Sequence, residues 1–193
     1  MKRLLLPGLV ALACGCPGLN EPSYQDQPMS TWLAKLKDKN PAARQEAAKA
    51  LGVIGQPAIP TLIELMKDPD NDIRIAAADA LAHSGRDARG ALPALDKAMK
   101  DPEPLVREHA AFTLAAVINP DDQSVLPALI NALQDQDAEV RRQVAVALAR
   151  FGPAGKSALS GLNAAFSKEE DGQAKRNMKE AIDRIQSDVR TGD

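Results

Sequence analysis

Two histidines, two cysteines and a row of Asp–Arg pairs are the side chains in this sequence with reactive potential. His83 and His109 would bind a metal or carry protons if further imidazoles and carboxylates joined them. They stand 26 residues apart, the first followed by Ser84 and the second preceded by Glu108, a set too sparse for iron. A Gly-rich phosphate loop, a Ser-His-Asp set and a reactive thiol are all missing from the long middle of the chain. The expectation is a chain that is not an enzyme, with no cofactor and no metal, in which both histidines are exposed polar residues.

The Asp–Arg pairs are more regular. Asp38 and Arg44, Asp68 and Arg74, Asp101 and Arg107, and Asp135 and Arg141 each place Arg six residues after Asp. As a functional device they would be a row of charges for an anionic ligand. As a structural one, each Asp accepts backbone N–H groups at a turn while the Arg of its own unit or the next pairs with it. Their place at the junction between two helices favours the structural reading, staples between units.

The Arg-to-Arg intervals are 30, 33 and 34, and a further 34 leads to Lys175, so a fifth, degraded copy closes the series. Residues three, six and seven after the Arg are small or apolar, as in Ala47, Ala50 and Leu51, or Ala110, Thr113 and Leu114. Self-similarity at a period near 33 marks a repeat array. Each unit reads as a helical hairpin. Pro60, Pro93 and Pro127 sit eight residues before the Asp, with Ser30 and Ser160 in the matching slots of the first and last copies. Apolar residues two, five and six positions after the Pro, such as Leu62, Leu65 and Met66, have the helical period. Pro is tolerated in a first helical turn, where its N–H would have no partner. Asn40-Pro41, Asp68-Pro69 and Asp101-Pro102 break the first helix, and Gly55, Gly85 and Gly152 stop the second in left-handed caps.

On the second helix, turned about 100° per residue, one arc is apolar and the opposite arc is wet. Positions one, two, five and nine after the Arg fall on the wet arc, and they vary from copy to copy. Most carry ordinary solvated residues. Ile75, Phe112 and Val146 are apolar there in three consecutive units, beside Asp79, Glu108, His109, Arg142 and Arg150. An apolar row in a polar rim predicts a partner-binding hot spot at these eight positions.

The pattern Asp-x5-Arg-x2-Ala-x2-Ala-Leu, without the motifs of tetratricopeptide or ankyrin repeats, resembles HEAT repeats, most closely the short bacterial class named after phycobilin-lyase subunits. The resemblance implies an all-α fold, a right-handed α-solenoid of about five helical hairpins over residues 29–187, in units 29–56, 57–89, 90–122, 123–156 and 157–187. It also implies that second helices line the concave surface, so that the wet arc faces a groove. That class includes scaffolds, tetrapyrrole lyase subunits and metal-dependent hydroxylases whose sites use repeated His-Glu pairs. Here the order is Glu108-His109. The primary expectation is therefore a protein–protein interaction scaffold, and the alternative is an enzyme subunit related to the lyases or hydroxylases.

Composition fits such an array: aromatic residues make up only 3% and hydrophobic residues 45%, largely Ala and Leu. The formal charge of -2 creates no field that calls for nucleic acid. At the amino terminus, Lys2 and Arg3 precede an apolar run from Leu4 to Ala13, too short to span a bilayer that needs about 20 helical residues. Residues 1–13 read as the signal peptide of an exported bacterial protein. Ala11-Leu12-Ala13-Cys14 resembles a lipobox, which implies acylation at Cys14; Cys16 is the alternative frame, and plain secretory cleavage after Ala13 also fits. Neither cysteine lies in the repeats, so no disulfide staples the array. Residues 14–28, rich in proline, read as an extended tether from a membrane at the cell envelope, and 188–193 as a disordered tail.

Overall fold

A computed structural model describes residues 21–187, so Cys14, Cys16, the proposed signal peptide and the tail lie outside the described residues. Among the described residues there are ten α-helices in five antiparallel pairs: α1 (Met29–Lys35) with α2 (Pro41–Ile54), α3 (Ile59–Leu65) with α4 (Asn71–Ser84), α5 (Leu92–Ala98) with α6 (Pro104–Val117), α7 (Leu126–Ala132) with α8 (Ala138–Ala149), and α9 (Leu159–Lys168) with α10 (Gly172–Gln186). The long helices α2, α4, α6, α8 and α10 pack side by side in succession, and each short helix packs on the long helix of its own pair. The result is a two-layer, all-α solenoid of five hairpins. No described helix is long and apolar enough to cross a membrane.

Local chemistry sets the ends of these helices. Asn40, Asp70, Asp137 and Asp171 precede α2, α4, α8 and α10, and each side chain accepts a backbone N–H from the first turn, satisfying donors that have no helical partner. Gly55 and Gly85 end α2 and α4 with φ of 72° and 54°, as expected of glycine. Their ψ values of -131° and -134° lie outside the left-handed helical well, so these caps are not the expected kind. In the third unit no glycine is needed. Ile118, two residues before Pro120, leaves α6 in extended geometry.

The core runs the length of the stack and is built mainly from Ala and Leu. Small side chains let the long helices approach closely. The tightest point is Gly52 in α2, where a Cβ would lie 2.2 Å from the Cβ of His83 in α4. Gly161 plays the same part for α9, since a Cβ there would sit 2.8 Å from Ile130 Cγ2 in α7.

The tether differs from expectation over residues 21–28. Ser23–Tyr24 (β1) and Gln27–Pro28 (β2) pair as a two-stranded hairpin, with Gln25 and Asp26 at positive φ in its turn. The indole N–H of Trp32 donates to the Tyr24 carbonyl at 3.2 Å, and the Ser30 N–H donates to the Glu21 carboxylate at 2.6 Å. The physical reason is a large indole to cover: the folded-back segment packs on the first hairpin and helps to bury Trp32 completely.

Candidate functional site

Two features could bear function: the charged turns along one edge and the outer face of the long helices. At the turns, each Arg works as a fork. Arg74 Nη1 donates to the carbonyls of Asp68 and Pro69 in its own unit, while Nε and Nη2 donate to both carboxylate oxygens of Asp101 in the next, at 3.0 and 2.9 Å. Arg107 repeats this, holding the Asp101 and Pro102 carbonyls and the Asp135 carboxylate at 2.7 and 2.9 Å. Arg141 holds the Asp135 and Gln136 carbonyls and then Glu169, at 2.6 and 2.7 Å. Every acceptor carboxylate also takes the backbone N–H two residues on, as Asp135 does from Asp137. Each of these forks joins one unit to the next.

The direction of the ladder corrects the expectation. A carboxylate is bound by the Arg of the preceding unit, and its own unit's Arg takes the carbonyl instead. The first rung departs as well. Arg44 holds the Asp38 and Lys39 carbonyls but reaches the exposed Asp72 at 2.5 Å, and Lys37 pairs with Asp68 at 3.6 Å. Among the described residues the Asp38 side chain accepts only within its own turn, from the Asn40 N–H. Hydrogen bonding to Asp135 and Glu169 raises Arg107 and Arg141 above the ordinary guanidinium value. Burial pushes Asp135 up, but hydrogen bonds from Arg107 and the Asp137 N–H outweigh it, and the carboxyl ends below 3.8. The Arg141 hydrogen bonds hold Glu169 below 4.5 against burial.

On the outer face of the long helices, Phe112 is 47% exposed and Val146 37% exposed, at the same register in α6 and α8. Both stand where the wet arc places them. Ile75 does not: it is half-buried and packed against the core, because the α2–α4 contact covers its position beside Gln45. Val53, further along α2, is exposed instead. Arg142 pairs with Glu139 on its own helix, and Arg150 is exposed at the end of α8. Glu108 is half-buried on α6.

The histidines are not isolated. His109 Nδ1 lies 2.5 Å from Asp79 Oδ1, linking α6 to α4 one turn from Phe112, and His83 Nδ1 lies 2.7 Å from the Asp79 carbonyl. The hydrogen bond with Asp79 raises His109 above its ordinary 6.5, working against burial. One carboxylate with an imidazole is a polar clasp between repeats. Among the described residues no group of three or more His, Cys, Asp or Glu is arranged to hold a metal ion.

A family model described as HEAT repeats matches residues 29–115 and 92–183. The chain belongs to the HEAT-repeat family. Among solved structures, the complex of CpcE and CpcF of phycocyanin lyase from Nostoc is similar at 23% identity, with a TM-score of 0.69 over 79% of this chain and 96% of that one. An engineered protein is 25% identical, with a TM-score of 0.60 over 82% of this chain and 81% of that one. A designed armadillo repeat protein in complex with the peptide (KR)4 is 19% identical, with a TM-score of 0.59 over 81% of each chain. No curated protein sequence matches.

Within the HEAT array, the acceptor that sequence reasoning missed is Glu169. It lies 34 residues after Asp135, the same step that leads from Arg141 to Lys175, so the register alone marked it. Lys175 Nζ accordingly donates to the Glu169 carbonyl at 3.0 Å, completing half of a fifth fork. Asp72 carried no such signal, because its pairing with Arg44 depends on how far the second hairpin rotates on the first.

Proposed function

We propose that this chain is a non-catalytic protein-interaction scaffold of the bacterial cell envelope, exported and held at a membrane through an acylated Cys14, with Cys16 as the other frame. The partner is a protein, and it binds the concave face of the solenoid, formed by the exposed side of the long helices. The observation that carries this reading is the exposure of Phe112 and Val146 at equivalent positions of adjacent repeats. An aromatic ring with an aliphatic neighbour, rimmed by Asp79, His109, Arg142 and Arg150, has the composition of a small interface centre. Similar repeat folds lend support, since one is solved as a complex of two chains and another with a bound peptide. The alternative of an enzyme subunit rests on the likeness to phycocyanin lyase, which at 23% identity concerns the fold.

Crosslinking in membranes from the producing bacterium tests the proposal. A photoreactive residue at Val146 is expected to capture one discrete partner, and Phe112→Glu to abolish the adduct while the protein stays folded. Cys14→Ala is expected to move the chain from the detergent phase to the aqueous phase, since stable anchoring needs more than one acyl chain. An undiminished adduct in Phe112→Glu would remove the binding face. A chain that begins at Cys14 without lipid by mass spectrometry would remove the anchor, and co-purifying iron or a visible chromophore would favour the enzyme reading.

A further inference from the structure

Beyond Val146, the same face ends in a recess of about 470 Å³ at the carboxyl-terminal ends of the long helices. Arg86 after α4, Arg150 at the end of α8 and Arg184 in the last turn of α10 line it, although they come from three different repeats. Pro120 and Pro153 supply accessible apolar wall between them, with Ile118 and Phe151 buried behind it. No carboxylate among the described residues lines the recess. Among the described residues neither Arg86 nor Arg150 has an ion-pair partner, and Arg184 is held only by Glu180 in a pair whose side chains are both more than half exposed, which a ligand displaces at little cost.

We propose that this recess docks an acidic, partly apolar peptide segment of the partner protein. The inference rests on the scaffold reading and gives the partner its chemistry. Three guanidinium groups around one cavity repel each other unless an anion joins them, and guanidinium matches a carboxylate in a two-point geometry. The apolar wall argues for a peptide over a bare anion, because a small inorganic ion would leave it unused. Val146 lies one turn before Arg150 on the same side of α8, so a bound strand whose carboxylates reach the arginines can rest an apolar side chain on Val146 and Phe112. A basic segment, such as the (KR)4 peptide solved with the designed armadillo protein, is excluded here by charge.

Fluorescence anisotropy on the purified full chain tests this, with labelled Glu-Leu-Glu-Glu-Leu-Glu as the probe and its Lys-for-Glu counterpart as control. The acidic peptide is expected to bind saturably and the basic one not at all. Arg150→Glu and Arg86→Glu, both at exposed positions, are each expected to weaken binding about tenfold or more, with Arg150→Gln intermediate. Lys97→Glu, on another edge, should change it little, and salt should weaken it as surface charges are screened. The proposal is overturned if the acidic peptide shows no saturable binding up to about 1 mM, if the basic peptide binds equally, or if the charge reversals have no effect. It is also overturned if inorganic phosphate competes at the peptide's own concentration, which would make the recess a simple anion site. Retained crosslinking at Val146 alongside such a failure would leave the scaffold reading intact and remove only the acidic-segment assignment.

Discussion

Replacing Arg107 by Ala removes the central fork of the ladder. Four hydrogen bonds go with it: two to Asp135 at 2.7 and 2.9 Å, and two to the carbonyls of Asp101 and Pro102 at 2.9 and 3.2 Å. The pair is well shielded, with side-chain exposures of 15% for Arg107 and 11% for Asp135. Asp135 would keep only the Asp137 N–H and would have to stay charged in a poorly hydrated place. Losing one member of a buried pair costs about 3–5 kcal/mol and of an ordinary hydrogen bond to a charge about 1.5–3, so about 2–4 kcal/mol is expected at this partly shielded site. At about 2–4 °C per kcal/mol for a chain of this size, the melting temperature should fall by about 4–16 °C. Arg44→Ala is the internal control, because its Asp72 partner is 58% exposed and that ion pair is worth about 0–1 kcal/mol. Urea denaturation followed by circular dichroism measures both. A double-mutant cycle with Asp135→Ala should return a coupling of about 1–3 kcal/mol. Equal losses at Arg107 and Arg44, or a coupling near zero, would refute the argument that the ladder joins repeats energetically.

Other outcomes follow from particular contacts. Gly52→Ala should destabilise the array by about 1–3 kcal/mol despite the better helix propensity of Ala, since its Cβ would meet His83 at 2.2 Å; a rise in melting temperature would show that α2 and α4 separate freely. His109→Asn removes a group raised above 6.5 by Asp79, so the stability it loses should be largest below that pH and shrink as pH climbs through the folded value; a gap that widens with pH would contradict the pairing. The lowered Asp135 and Glu169 give stability that is present above their ordinary values of 3.8 and 4.5 and lost as pH falls through the folded ones, so acid titration should unfold the wild type over that range and Arg141→Ala at higher pH. Phe112→Glu should melt within roughly 0.5 kcal/mol of the wild type, and a collapsed melting curve would place the ring in the core.

The hairpins, their number and the repeating Asp and Arg positions were legible in the chain because they depend on short-range rules, whereas the acceptors Asp72 and Glu169 were not among them. A helical period, a proline in a first turn and a capping Asp act within a few residues, and repetition then multiplies the signal. Phe112 and Val146 were legible for the same reason, since their exposure follows from their phase on one helix. What the tertiary structure decided lies between units. Whether Arg107 pairs backward or forward, whether Ile75 is covered by α2, and whether His109 meets Asp79 all depend on the rotation of one hairpin against the next, which is set by close contacts such as Gly52 against His83. The fold-back of residues 21–28 onto Trp32 and the meeting of Arg86, Arg150 and Arg184 around one recess belong to the same class. Each joins residues that no local period connects, so only the packed array brings them together.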